Sequence, residues 1–201
     1  VTTGVPQGSV HGPLLFLLYS ADIPLIAGQF GLGVHCYADD GQLYLFDKAV
    51  HLDRIVSKIT ACINEIDEWM TTNRLKLNSD KTQFIWLGTR QQLQKIGIDS
   101  IQLGSNNVKV QTSVGNLGVT LDSQLSMKAH VQRTCRTCFY QLRQFRSVRR
   151  SLSFTACTLL VHAFITSRLD YCNSLLAGIS VGSMSKLQSV IRVAARLVMR
   201  K

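Results

Sequence analysis

The spacing of apolar residues changes character near residue 125, and that change limits the architectures open to this 201-residue chain more than any single motif does. Ahead of it, short apolar runs (GVHCY, QLYLF, FIWLG, SIQL, VKV) are separated by turn chemistry and by one long amphipathic stretch. Behind it the period is helical throughout. Helices are expected near residues 126–150, 153–178 and 183–200, with Ser153 and Ser183 as N-caps. The fold class that follows is α+β: a mixed unit over residues 1–125, then an all-helical unit over 126–201. A hydrophobic content of 46% is enough for a real core. There is no internal repeat and no low-complexity tract.

Charge divides along the same line. Residues 1–90 hold 7 Lys and Arg against 9 Asp and Glu, whereas residues 91–201 hold 15 against 3, so the net +10 belongs to the C-terminal half. Of the 14 charged residues from 126 to 201, 13 are basic and one is Asp170. A one-sided basic half suits a polyanionic partner, because neutralising phosphates releases their counterions. The alternative is a solvated cationic face on ordinary helices.

Six cysteines without framework spacing, and no basic segment leading into an apolar one at the start, suggest reduced thiols in an intracellular protein of the nucleus or cytoplasm. The longest apolar stretches, PLLFLLYSADIPLI and ACTLLVHAFI, fall short of membrane length.

The opening VTTGVPQGSVHGP, with three glycines and two prolines, reads as a loop whose backbone can approach a ligand closely. Pro13 then suits the first turn of a helix running through LLFLLYSAD. From Leu52 to Met70, apolar residues at 52, 55, 56, 59, 63, 66 and 70 form one face of a helix, with Glu65, Asp67 and Glu68 on its wet side. Between these, GVHCY and QLYLF flank Asp39-Asp40-Gly41, so an antiparallel hairpin with two carboxylates at its tip is expected.

Adjacent acids repel, and a cation beside them relieves the repulsion. Hard oxygen ligands suit Mg²⁺, which takes one or two carboxylates and completes its shell with substrate phosphates. A pair of such ions about 3.5–4 Å apart would serve phosphoryl transfer. Asp-Asp-Gly is also good turn chemistry without any metal. Further blocks accompany the pair in order: GVPQGSVHGPLLF before it, then LKLNSDKT, LGVTLD, SRLDYCNSLLAGIS and KLQSVIRVAARLV after it.

That series resembles the reverse transcriptases of LINE-type (non-LTR) retrotransposons almost from end to end. The resemblance implies part of a polymerase palm with a primer-grip hairpin over residues 1–125 and a thumb-like helical region over 126–201. It implies an RNA template, a DNA primer, deoxynucleoside triphosphates and two Mg²⁺ ions in the intact RNA-directed DNA polymerase. Asp39 and Asp40 match the paired metal-binding aspartates, and Tyr37 and Ala38 the residues beneath the primer end. Gly4, Pro6, Gln7, Gly8 and Ser9 match the loop beside nucleotide and template. Lys81 matches the proposed general acid for the leaving pyrophosphate, and Leu117, Gly118 and Val119 match the primer grip. The pattern also calls for a third aspartate on an upstream strand and for fingers; without them the 201 residues alone are expected to be inactive. His11 departs from the family, which has an apolar residue there.

Other chemistries fit less well. Cys135, Cys138, Cys157 and His162 number enough ligands for zinc, but they fall within helical, partly apolar patterns that favour buried thiols. GSVHG has neither the spacing of a nucleophile elbow nor the Gly-Lys-Ser/Thr ending of a P-loop. The alternatives to a polymerase fragment are a non-catalytic module binding RNA or RNA–DNA hybrid, and a mobile-element relic.

Overall fold

The computed structural model describes residues 8–78, 80–103 and 106–200. It mixes helices with small antiparallel sheets, as an α+β reading requires. The chain gathers into two compact units. One holds the residues up to Phe84 together with Gln94–Val110; the other holds Ile85–Leu93 and everything from Gln111 on. The second unit therefore takes in strands as well as the basic helices.

In the first unit, α1 (Gly12–Tyr19) starts with Pro13 in its first turn, where the missing N–H costs nothing. It stops at Tyr19, short of the expected Ser-Ala-Asp. There the buried Ser20 hydroxyl donates back to the Phe16 carbonyl at 2.8 Å, and Pro24 opens a separate helix, α2 (Ile23–Gln29). β1 (Gly33–Tyr37) and β2 (Asp40–Tyr44) then form a hairpin. α3 (Leu52–Thr72) buries Ile55, Ile59, Cys62 and Ile66, spaced 4, 3 and 4 residues apart along one stripe. Burial of each such aliphatic side chain is worth about 1.5–3 kcal/mol. That stripe packs on α2, which contributes Ile26 and Ala27. Glu65, Asp67 and Glu68 are exposed, as the periodicity requires. The Tyr19 hydroxyl donates to the Asn73 carbonyl, and its ring lies 6.5 Å from that of Trp69, so α1 is tied to the end of α3.

After α3 come a short strand, β3 (Phe84–Ile85), and a single helical turn, α4 (Arg90–Leu93). The FIWLG run is thus a strand over two residues only. β4 (Ser100–Leu103) and β5 (Asn106–Gln111) pair antiparallel, Ile101 opposite Val108, and β4 lays Ile101 and Leu103 against α3.

In the second unit β6 (Ser113–Asn116) and β7 (Val119–Asp122) form a hairpin, and α5 (Lys128–Val148) follows. The Asp122 carboxylate accepts from the Gln124 and Ser126 N–H groups at 3.2 and 2.9 Å and from the Ser126 hydroxyl at 3.0 Å, ordering the strand-to-helix loop. α6 (Phe154–Val161) is capped by Ser153, whose hydroxyl accepts from the Ala156 N–H.

The helix expected over 153–178 is not continuous. A π turn at His162–Thr166 interrupts it, α7 (Ser167–Asp170) ends it, and Cys172 sits at φ 53°. α8 (Val181–Met199) begins two residues ahead of the expected helix, because Ser180, not Ser183, is its N-cap; Ser183 is buried and its N–H donates to the Ser180 hydroxyl.

The core of this unit gathers Val131, Cys135, Cys138, Leu142 and Phe145 from α5, Val161 and Ile165 near the π turn, and Leu187, Val190 and Ala194 from α8. Cys135, Cys138 and Cys157 are buried thiols; burial pushes the Cys138 thiol up to about 11. His162 is exposed.

Candidate functional site

The β1–β2 hairpin sets the geometry of the carboxylate pair. Its register puts Gly33 opposite Tyr44, His35 opposite Gln42 and Tyr37 opposite Asp40, which leaves a two-residue turn of Ala38 and Asp39. The turn therefore falls one residue ahead of the expected Asp-Asp-Gly. Asp39 occupies the turn itself, and Asp40 is the first residue of β2. Because side chains alternate along a strand, Asp40 shares a face with Tyr37, His35, Gln42 and Tyr44. The opposite face carries Val34 and Leu43, paired across the strands and half-buried. Burial follows distance from the turn and not the face: Gly33, Val34, Gln42 and Leu43 are half-buried, whereas Cys36, Tyr37, Asp40 and Gly41 next to the turn are exposed.

Ala38 sits at φ 53°, in the left-handed region that side chains with a Cβ resist. This strain lies immediately before the two acids. Gly33 lies at the far end of the same face, where a Cβ would come within 2.3 Å of the Tyr44 ring and push that exposed side chain from its place. That ring stacks on His35 at 5.0 Å and meets Phe46 edge-on at 5.5 Å, which makes an aromatic ledge along the face of Asp40.

Asp39 and Asp40 are both exposed. Among the described residues the ion pairs involve a different acid, Asp47, which lies 2.8 Å from His51 Nδ1 and 2.5 Å from the Arg54 guanidinium. Hydrogen bonds from His51, from Arg54 and from the Lys48 N–H hold the Asp47 carboxyl well below the usual carboxylate range. Asp47 is a structural acid that fixes the passage from β2 into α3. Among the described residues neither Asp39 nor Asp40 has an ion-pair partner. No cluster of three or more His, Cys, Asp or Glu side chains gathers among the described residues.

The remaining candidate residues fall as follows. Gly4, Pro6 and Gln7 lie outside the described residues. Gly8, at φ 88°, is exposed with open space around its Cα, and the Ser9 carbonyl accepts from the Gly12 N–H at 3.2 Å as α1 begins. His11 precedes α1 and is exposed, so its imidazole has no burial to offset. Lys81 is exposed on a turn in which its own N–H and that of Thr82 both donate to the Asn78 carbonyl at 3.1 Å.

Leu117 and Gly118 are the two turn residues of the β6–β7 hairpin, at φ 44° and 81°, and Val119 is the buried first residue of β7. Positive φ at both turn positions matches the twist of the strands they join. A residue that no sequence pattern singled out holds this turn: the Tyr171 hydroxyl donates to the Leu117 carbonyl at 2.7 Å. Its only sequence signal was its place in the block SRLDYCNSLLAGIS, 54 residues away. A cleft of about 350 Å³ in the same unit, lined by residues 125–128 and 177–180 with Leu175, contains no carboxylate or histidine.

Residues 1–121 match the family model for reverse transcriptase (RNA-dependent DNA polymerase). The chain is 28% identical over 148 residues to the probable RNA-directed DNA polymerase from transposon BS of Drosophila melanogaster, covering 71% of this chain and 16% of that protein. It is 22% identical over 136 residues to the RNA-directed DNA polymerase from mobile element jockey of the same species, and 29% identical over 136 residues to the probable RNA-directed DNA polymerase from transposon X-element; each match covers 65% of this chain and 14% of the relative. The chain therefore spans about a sixth of the length of these relatives. No solved structure matches it. The chain belongs to the reverse transcriptase (RNA-dependent DNA polymerase) family, and the relatives it resembles are polymerases of transposons and mobile elements.

Proposed function

We propose that this chain is a segment of a LINE-type RNA-directed DNA polymerase: part of the palm over residues 1–125, including the carboxylate hairpin, and a thumb-like helical region over 126–201. The observation that carries the proposal is the β1–β2 hairpin, lying within the family match, which presents Asp39 and Asp40 consecutively, exposed and without an ion-pair partner among the described residues.

The two side chains fit a divalent cation. They supply hard, charged oxygens from the second turn residue and the first residue of β2, both exposed, with room for water or phosphate oxygens to complete a shell, the manner in which Mg²⁺ is held. Mg²⁺ bound there would supply positive charge against the phosphates of an incoming nucleotide. Asp39 and Asp40 would hold it; Tyr37, exposed on the face of Asp40, would lie beneath the primer end. Gln7, Gly8 and Ser9, with Gly4 and Pro6, would line the nucleotide and template, and Lys81 would donate a proton to the departing pyrophosphate. Leu117, Gly118 and Val119 would hold the primer strand. The basic helices would hold the RNA–DNA duplex by its phosphates.

Metal binding tests the central step. Mn²⁺ added to the isotope-labelled chain should broaden the backbone amide resonances of residues 37–41 first, and Asp39→Asn should abolish that selectivity. Uniform broadening, or selectivity that survives Asp39→Asn with Asp40→Asn, would remove the reading. In any polymerase-active chain carrying this segment, the same substitutions should eliminate primer extension while template–primer binding persists.

A further inference from the structure

α5 carries a second regular pattern besides its buried stripe. Arg133, Arg136, Tyr140, Arg143, Ser147 and Arg150 follow one another at spacings of 3, 4, 3, 4 and 3, the last lying in the helical turn that continues α5. These spacings keep them on one face of the helix. All six are exposed, whereas Val131, Cys135, Cys138, Leu142, Phe145 and Arg149, each offset by one or two positions, are buried. The stripe therefore lies on the side of α5 that faces away from the core. At 1.5 Å per residue it runs about 26 Å.

Its charge is unbalanced. No Asp or Glu occurs between Asp122 and Asp170, and among the described residues none of these arginines has a carboxylate partner. A merely solvated helix face mixes signs, because like charges three or four residues apart cost a few tenths of a kcal/mol per pair, about 0.2–0.5. Here Arg146 adds another cation beside Arg143 and Arg150 instead. In the middle of the row stands Tyr140, 54% exposed, one turn from Arg136 on one side and from Arg143 on the other.

We infer that this face of α5 binds single-stranded nucleic acid, its arginines following the phosphates and Tyr140 stacking on a base. The inference rests on the polymerase reading for the class of partner, and departs from it in strandedness. Arginines alone would serve a duplex equally well. An aromatic ring set within the row would not, because a duplex keeps the faces of its bases stacked inside, while an unpaired base offers a face to Tyr140 and to the neighbouring guanidinium groups.

The test compares the 201-residue chain on labelled oligo(U), on oligo(dT) of the same length, and on the oligo(rA)·oligo(dT) hybrid, each titrated across a salt series. Tyr140→Ala should weaken binding to the single strands about tenfold, leave the salt slope unchanged and barely affect the hybrid; Tyr140→Phe should restore single-strand binding. Arg136→Gln with Arg143→Gln should flatten the single-strand slope by about 1.4. All three positions face away from the core, and an unchanged far-UV circular dichroism spectrum confirms that the variants fold. Whichever of oligo(U) and oligo(dT) binds tighter identifies the strand as RNA or DNA. Hybrid bound more tightly than either strand, with Tyr140→Ala neutral or costing both alike, would overturn the inference and leave the polymerase reading standing. No salt-sensitive binding to any probe would overturn both.

Discussion

The Tyr171 hydroxyl donates a 2.7 Å hydrogen bond to the Leu117 carbonyl, and the Tyr171 ring lies against Gly118, where an added Cβ would come within 3.3 Å of the ring edge. The β6–β7 turn is thereby held from outside the hairpin, by a residue placed where the helical run from α6 breaks down. Leu117 occupies a positive φ that its own side chain disfavours, and the contact from Tyr171 is what the turn gains in return.

Tyr171→Phe should remove the hydrogen bond but keep the ring, destabilising the chain by about 1 kcal/mol. Gly118→Ala should cost more, about 1–3 kcal/mol, because it adds backbone strain at φ 81° to the close approach. Urea unfolding of both variants checks the order. A Gly118→Ala chain as stable as the parent would contradict the turn geometry.

His130 predicts a pH dependence. It is buried at the start of α5, and its Nδ1 accepts a hydrogen bond from the Thr120 N–H at 3.3 Å, which requires the neutral imidazole. Burial, and then the charge of Arg133, lower its pKa below the ordinary value of 6.5. In the window between the lowered folded value and 6.5 the unfolded chain binds more protons, so stability rises with pH there. The contribution is fully present above 6.5 and is lost progressively as pH falls towards the folded value. Denaturant midpoints at pH 8, 7, 6 and 5.5 should decline below neutrality, and His130→Gln should flatten that decline.

Arg149 is buried, unlike its basic neighbours on α5. Its Nε and one terminal nitrogen donate to the Leu197 and Val198 carbonyls at 2.8 and 2.9 Å, and the other donates to the Leu152 carbonyl at 2.8 Å. It satisfies the last turn of α8 while placing a positive charge at the negative end of that helix. Arg149→Leu should destabilise the chain by about 3 kcal/mol, since bonds from a charged donor are worth about 1.5–3 kcal/mol each and the carbonyls left behind are partly desolvated. Arg150→Leu, on the exposed side, should change stability by less than about 0.5 kcal/mol. Thermal melts of the two variants give the comparison.

The contrast between Arg149 and Arg150 also shows where sequence reading stops. Both count equally in a charge tally, and only the fold separates the helix cap from the exposed cation. Elements set by local pattern were legible: the α3 stripe, the Ser153 cap, the strands GVHCY and SIQL. Where two local signals competed, the reading slipped. Asp40-Gly41 is better turn chemistry than Ala38-Asp39, yet the hairpin turns at the latter, which sets the half-buried Val34 opposite the half-buried Leu43. Ser180 and Ser183 are equally good caps, three residues apart, and periodicity alone does not choose between them. The break after α6 has no Gly or Pro between His162 and Tyr171 to announce it. Of the candidate residues, Asp39 and Asp40 stood out by local charge and turn chemistry and Leu117 and Gly118 through the family resemblance alone, whereas Tyr171 did not stand out, because its partner lies 54 residues away.

Ala38 makes the last prediction. At φ 53° its Cβ costs about 1 kcal/mol relative to glycine, which populates this region freely. Ala38→Gly, or Ala38→Asn, should therefore stabilise the hairpin by about 0.5–1 kcal/mol, an unusual direction for a substitution beside a candidate catalytic pair. If the strained turn fixes the presentation of Asp39 and Asp40, the same change should weaken the selective Mn²⁺ broadening at residues 37–41 even as the denaturant midpoint rises, because glycine admits turn conformers that alanine, once held by the strands, does not. A rise in stability with unchanged metal selectivity would assign the strain to hairpin folding alone.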